Sequence, residues 1–254
     1  MKKISSIIFV LFYFLIMGPA YVECDEDVSG DVSISVDNNH RQLFTEDGTS
    51  LTITNSATLT IDAQHGINIK TFDNGTVAVD PGSTVTVTGS NAIQGKEQSG
   101  LTVTNSGTIN TDGSKAINLK DAEDSTITNN LGGIISGVGD SISGEAATGV
   151  NIANNGTIYS DNGRALTFFS TSTATVTNNS SGHIYNSNTN EAIKLDGSST
   201  LTNSGKIENK NSASNNSILI IGNNNTITLK DKGILVGTID AGSTTGNTLK
   251  FQHG

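Results

Sequence analysis

Acid–base cleavage of a polysaccharide, nucleophilic catalysis, metal binding and ordered hydroxyl arrays are the chemistries this sequence could support, and residue spacing decides among them. Asp112, Asp161 and Glu191 recur at comparable points of the chain and could serve as general acids or bases. That chemistry needs several acids converging with Arg or Lys beside an aromatic platform. The only arginines, Arg41 and Arg164, lie far apart, so the three acids read as solvated turn charges. His40, His65, His183 and His253 are scattered and Cys24 is the single cysteine, a spacing that supplies neither a metal-ligand set nor a histidine relay. Phe168 and Phe169 read as core and turn-edge packing, not as a sugar platform. The expectation is no catalytic residue, no cofactor and no metal: a chain that is not an enzyme.

Two strings look more specific. Gly139-Asp140-Ser141-Ile142 resembles the nucleophile block of GDS-type lipases. That family places its Asp-x-x-His after the serine, whereas the one such spacing here, Asp62 to His65, comes before it. Gly137, Gly139 and Asp140 hint at a calcium-binding nonapeptide, without the nine-residue period it requires.

Threonine is the more regular feature. Thr-x-Thr pairs stand at Thr52/Thr54, Thr102/Thr104, Thr126/Thr128, Thr175/Thr177, Thr200/Thr202 and Thr226/Thr228. Stacked one above another, they would form an outward array of hydroxyls and methyls resembling the ice-binding face of some antifreeze β-helices. The array breaks at Val77/Val79 and at Asn151/Ala153, and threonine also suits the solvent side of any strand.

What must position these side chains is a repeat. The segment aliphatic-x-Asn-x-Gly-x-aliphatic recurs as Val103-Thr-Asn105-Ser-Gly107-Thr-Ile109, Ile152-Ala-Asn154-Asn-Gly156-Thr-Ile158 and Leu201-Thr-Asn203-Ser-Gly205-Lys-Ile207. Ile53-Thr-Asn55-Ser-Ala57-Thr-Leu59 is a variant, and the versions around Asn129 and Asn178 carry insertions. With Asp80 as a degenerate member, the ladder Asn55, Asn105, Asn129, Asn154, Asn178, Asn203 advances by 24 or 25 residues. A second ladder, Ile67, Ile93, Ile117, Ile142, Leu166, Ile193 and Ile218, holds the same phase. Between them, runs such as Leu101-Thr-Val-Thr alternate at strand period, and Asn-Gly, Asp-Gly and Ser-Gly pairs mark turns.

Each repeat is too small to bury its own apolar side, so neighbours must do so by stacking. The sequence therefore predicts an all-β fold, a right-handed parallel β-helix of about eight to nine coils. At about 4.8 Å per layer this is a rod roughly 40 Å long. Residues 49–254 form the helix and 21–48 a cap or degenerate first coil. The buried Asn amides are expected to bond from coil to coil at a turn, and the glycine two residues on to allow positive φ or a close approach.

Composition agrees. The 254 residues are 34% hydrophobic but only 5% aromatic, with 28 glycines, so small aliphatics must be buried repetitively. The formal charge is −10 and the pI about 4.7. That acidity disfavours nucleic acid and other anionic partners. Lys2 and Lys3, the apolar run Ile7–Met17 and Gly18-Pro19-Ala20 have the form of a signal peptide over residues 1–20, cleaved after Ala20. Its removal takes two lysines and no acid, leaving −12, and no later stretch is apolar enough to span a membrane. Glu23 before Cys24 does not fit a lipoprotein signal.

Leader, Asn/Thr/Gly-rich coils and tandem Val-Thr-Asn-Ser-Gly-Thr-Ile segments over roughly 28–250 resemble the passenger domain of a bacterial autotransporter (type V secretion). The resemblance implies an exported β-helix, displayed at the cell surface or outer membrane or released, acting as an adhesive scaffold on host or neighbouring-cell surfaces. It also implies a C-terminal transmembrane barrel, and nothing after Gly233 has that pattern. The segment 49–254 therefore reads as truncated, its uncapped C-terminal coil open to self-association. Ice binding and a carbohydrate-active enzyme are the alternatives.

Overall fold

A computed structural model describes residues 25–253. The leader and Cys24 lie outside the described residues. Every regular element among those described is a strand, and none is a helix that could cross a membrane.

The strands fall into three all-parallel sheets. Sheet 1 has ten strands, from Glu26–Val28 to Thr238–Asp240; sheet 2 has ten, from Asp31–Ile34 to Thr248–Gln252; sheet 3 has eight, from Thr58–Asp62 to Ile234–Val236. The chain visits them in rotation. Thr102–Asn105 lies in sheet 2, Thr108–Thr111 in sheet 3 and Ile117–Asn118 in sheet 1, before Thr126–Asn129 returns to sheet 2. Each strand pairs with the one about 25 residues on, as in Val103 with Ile127 and Ile127 with Ile152. The molecule is a parallel β-solenoid of about eight turns.

Alternation explains why these segments pair as they do. In Thr102–Asn105, Val103 and Asn105 are buried while Thr102 and Thr104 face outward. One inward aliphatic column rises on each sheet: Ile67 to Ile218 on sheet 1, Leu51 to Ile227 on sheet 2, Leu59 to Ile207 on sheet 3. Burying a Val, Leu or Ile contributes about 1.5–3 kcal/mol, and every turn repeats it three times. The aliphatic ladder read from the sequence is the sheet 1 column, member for member.

The first turn is degenerate and closed by polar groups. Its strands Glu26–Val28 and Asp31–Ile34 extend sheets 1 and 2, and Asn38 bridges to Leu59 on sheet 3. Fully buried Gln42 stands where later turns place Ile67 and Ile93. Its amide donates to Glu26 at 2.9 Å, and Arg41 pairs with Asp25 through two hydrogen bonds. In the first described turns these polar contacts take the place of the sheet 1 aliphatics.

Candidate functional site

The turn between sheets 2 and 3 holds the asparagine column. Asn105, Asn129, Asn154, Asn178 and Asn203 are register partners and fully buried. Each Nδ2 donates to the Oδ1 of the next: 2.9 Å from Asn105 to Asn129, then 2.8, 2.9 and 2.8 Å. The same amides also donate to turn carbonyls, such as Gly107 O at 3.2 Å and Ile134 O at 3.0 Å for Asn105. The glycines act by close approach, not positive φ. A Cβ on Gly156 would stand 2.2 Å from Gly133 O and 2.5 Å from Asn130 O.

Asn55 is outside this column, contrary to the sequence reading. It is exposed at a turn with φ of 55°, and the equivalent slots are Ile53 and Val79. The cause is turn length. One residue, Ser106, separates Asn105 from the slot of Gly107, whereas three, Thr54 to Ser56, separate Ile53 from Ala57. Leu51, not Ile53, therefore aligns with Val103 through Val77. Val79 offers no donor, which leaves the Oδ1 of Asn105 buried and unpartnered.

The same phase shift rearranges the threonines. Thr102, Thr126, Thr175 and Thr200 stand in one outward column of sheet 2, which Thr76 and Thr226 join; Asn151 interrupts it. Thr52, Thr104, Thr128, Thr177 and Thr202 form the second, interrupted at Ala78 and Ala153. Thr54 lies past the end of its strand, so its turn contributes Ser50 and Thr52. Val77 and Val79 point inward, and that turn presents Thr76 and Ala78 instead.

The acids do not converge. Asp112 accepts from Gly89 N at 2.8 Å, and both it and Asp161 are exposed. Glu191 is not a solvated turn charge: it is buried and pairs with Arg164 of the turn before at 2.5 Å. Ser141 is fully buried, donating to Tyr159 O and accepting from Gly137 N at 3.1 Å, so its hydroxyl is a structural tie. Phe168 is core and Phe169 lies under Lys194, 5.7 Å from its ring centroid.

The group the sequence reading missed lies on the outer face of sheet 3. Tyr159 and Tyr185 are register partners with ring centroids 4.9 Å apart and planes within 7°. Lys210 Nζ sits 3.3 Å from the Tyr185 centroid, and His183 packs tilted against that ring at 4.7 Å. Glu208, one layer up, takes Lys206 at 2.7 Å and His183 at 3.0 Å. Burial opposes the charged form of Glu208, but those two hydrogen bonds outweigh it and hold its carboxyl below the usual range. Burial likewise lowers His183, more than Glu208 raises it. Burial thus favours the neutral form of His183, and Lys206 is the nearer cation to Glu208. Burial pushes the Tyr185 phenol up. The only sequence signal was a matching offset, Tyr159 and Tyr185 each standing one residue past a column aliphatic.

Comparison of the chain with family models, with curated proteins and with solved structures finds no match.

Proposed function

We propose that this chain is an exported, non-enzymatic display rod of the autotransporter-passenger kind, holding neighbouring surfaces by many weak contacts. The observation that carries this reading is the near-unbroken register of three parallel sheets. Its one shift among the described residues lies between Asn216 and Ile218. Such a stack is stiff along its axis and presents the same outward positions turn after turn. Contacts repeated along it raise avidity without any strong single site. A self-association reading goes with it: Ile234, Leu249 and Phe251 are exposed in the last described turn, and the strand Thr248–Gln252 has one neighbour. Open edges of that kind template pairing with another chain.

Surface display of residues 21–254 on a heterologous anchor tests the reading. Cells bearing the rod should adhere to host-cell monolayers or aggregate above the anchor-only control. Adherence equal to the control would sink it.

A second reading has its own observation. The two threonine columns are spaced about 4.8 Å across strands and about 6.6 Å along them, and the register fills one gap of the first column with Thr76. This supports ice binding, tested by thermal hysteresis of the purified protein. Hysteresis lost in Thr104→Leu and Thr128→Leu would place the ice face on sheet 2.

A further inference from the structure

Charge is divided along the rod. Residues 25–193 carry six bases against 19 acids, whereas residues 194–254 carry six lysines against four acids. An acidic polymer is repelled by most of this molecule and accepted only near its C-terminal turns. The aromatic stack lies at the boundary, Tyr185 one turn and Tyr159 two turns before the layer of Lys206 and Lys210, with Asp161 and Glu208 the acids nearest to it. Outward positions in its column are Thr86, Asn110 and Ser136 in the turns before, so Tyr159 and Tyr185 stand proud of a face that is otherwise short and polar. They are the two tyrosines of the described residues, and neither phenol hydroxyl has a hydrogen-bond partner among them.

Around the corner toward sheet 2 lies an open cleft of about 460 Å³ between successive turns, lined by Ser180, Ser204, Lys230, Asp231, Lys232 and Gln252. The register pairs Lys206 with Ile234, so the turn bearing Lys230 and Lys232 passes one layer above Ser204, next to the sheet 3 face. Lys210, Lys230 and Lys232 have no carboxylate within ion-pair distance among the described residues. Lys210 has a ring for its partner instead.

We infer that the Tyr159–Tyr185 stack and the adjoining lysine cleft form a binding site for an acidic polysaccharide. The lysines meet carboxylate or sulfate groups, and the phenol hydroxyls and outward ring edges of the two tyrosines meet sugar hydroxyls and ring carbons. A nucleic-acid strand fits less well. It needs several open ring faces for successive bases, and here Tyr185 is covered by Tyr159 on one side and Lys210 on the other. The inference rests on the display reading only in saying what the rod holds.

The test uses the purified chain with four immobilised probes: heparin, polygalacturonate, dextran and single-stranded DNA. Heparin and polygalacturonate should bind, with affinity falling as salt rises, and dextran should not. The double variant Tyr159→Ser/Tyr185→Ser should lose at least about tenfold in affinity for both acidic polymers. Serine fits there because Ser136 holds the same position one turn earlier. Lys230→Ala/Lys232→Ala should weaken both by about tenfold, while Lys120→Ala, on the far side of the charge division, should leave them unchanged. An unaltered melting temperature in each variant separates site loss from unfolding. No binding of either acidic polymer, equal binding of dextran, tighter binding of DNA, or full affinity in the tyrosine variant would each overturn the inference. Adherence of displayed rods in the absence of glycan binding would overturn it while leaving the display reading intact.

Discussion

At the scale of single residues the asparagine column makes an asymmetric prediction. Asn154→Val breaks a bond on each side and strands Asn178 Oδ1, so it should cost about 2–4 kcal/mol. Asn105→Val moves the orphan acceptor up one layer, from Asn105 to Asn129, without adding one, and extends the aliphatic run Ile53–Val79. With its donations to Gly107 O and Ile134 O also lost, it should cost about 1–2 kcal/mol, less than Asn154→Val. Urea midpoints decide it, and equal penalties at both positions would refute the column's end effect. Glycine gives a parallel contrast. Gly156→Ala forces a Cβ into two carbonyl oxygens and should cost about 3 kcal/mol or more. Gly132→Ala, with φ of 84° but open space, should cost about 1 kcal/mol. His183 sets an acid sensitivity. Burial keeps its folded affinity for protons below its ordinary value of 6.5. The unfolded chain therefore binds the extra proton first, and stability falls as pH drops through and below 6.5. Glu208, also lowered, adds a further loss through the carboxylate range. His183→Asn should flatten the decline in melting temperature between about pH 7 and pH 5.

At the scale of elements, the turn between sheets 2 and 3 decides what the sequence reveals. The ladders were legible because most inward positions hold aliphatics or column asparagines, with a minority of buried Ser, Thr, Asn and Gln, while outward ones are mostly polar. Turn length was not legible. Ile53-Thr-Asn55-Ser-Ala57 mimics Val103-Thr-Asn105-Ser-Gly107, yet strand pairing aligns Leu51 with Val103 because backbone hydrogen bonds and a buried leucine outweigh a matching turn motif. A one-residue change of register would turn a whole inward face outward. Whole-turn arithmetic follows. Deleting residues 130–154 joins Asn129 to Asn155, the residue that follows Asn154, its own partner one layer up, and should leave a folded, shorter rod. Deleting 130–141 removes about half a turn, misaligns every later column and should leave those turns unfolded. Circular dichroism and limited proteolysis distinguish the two, and equal tolerance of both deletions would contradict the one-dimensional stack.

At the scale of the whole molecule, contacts run almost wholly between adjacent turns, so each turn depends on its neighbours for burial and an uncovered turn is sticky. Exposed Phe251, with Leu249 beside it on the same edge strand, should drive concentration-dependent association of the 254-residue chain. Phe251→Lys should shift sedimentation toward the monomer, and a parent that stays monodisperse at high concentration would count against the open edge. The amino-acid order by itself determined the strand class, the period near 25 residues and which aliphatics share the sheet 1 column. Stacking makes every layer answer to the same inside-outside rule, and that rule is written locally in each repeat. Only the tertiary structure decided which outward side chains meet. Solvent-facing positions carry no burial constraint to mark them, so the pairing of Tyr159 with Tyr185, of Arg164 with Glu191 and the place of Thr76 in the first threonine column emerged from register alone.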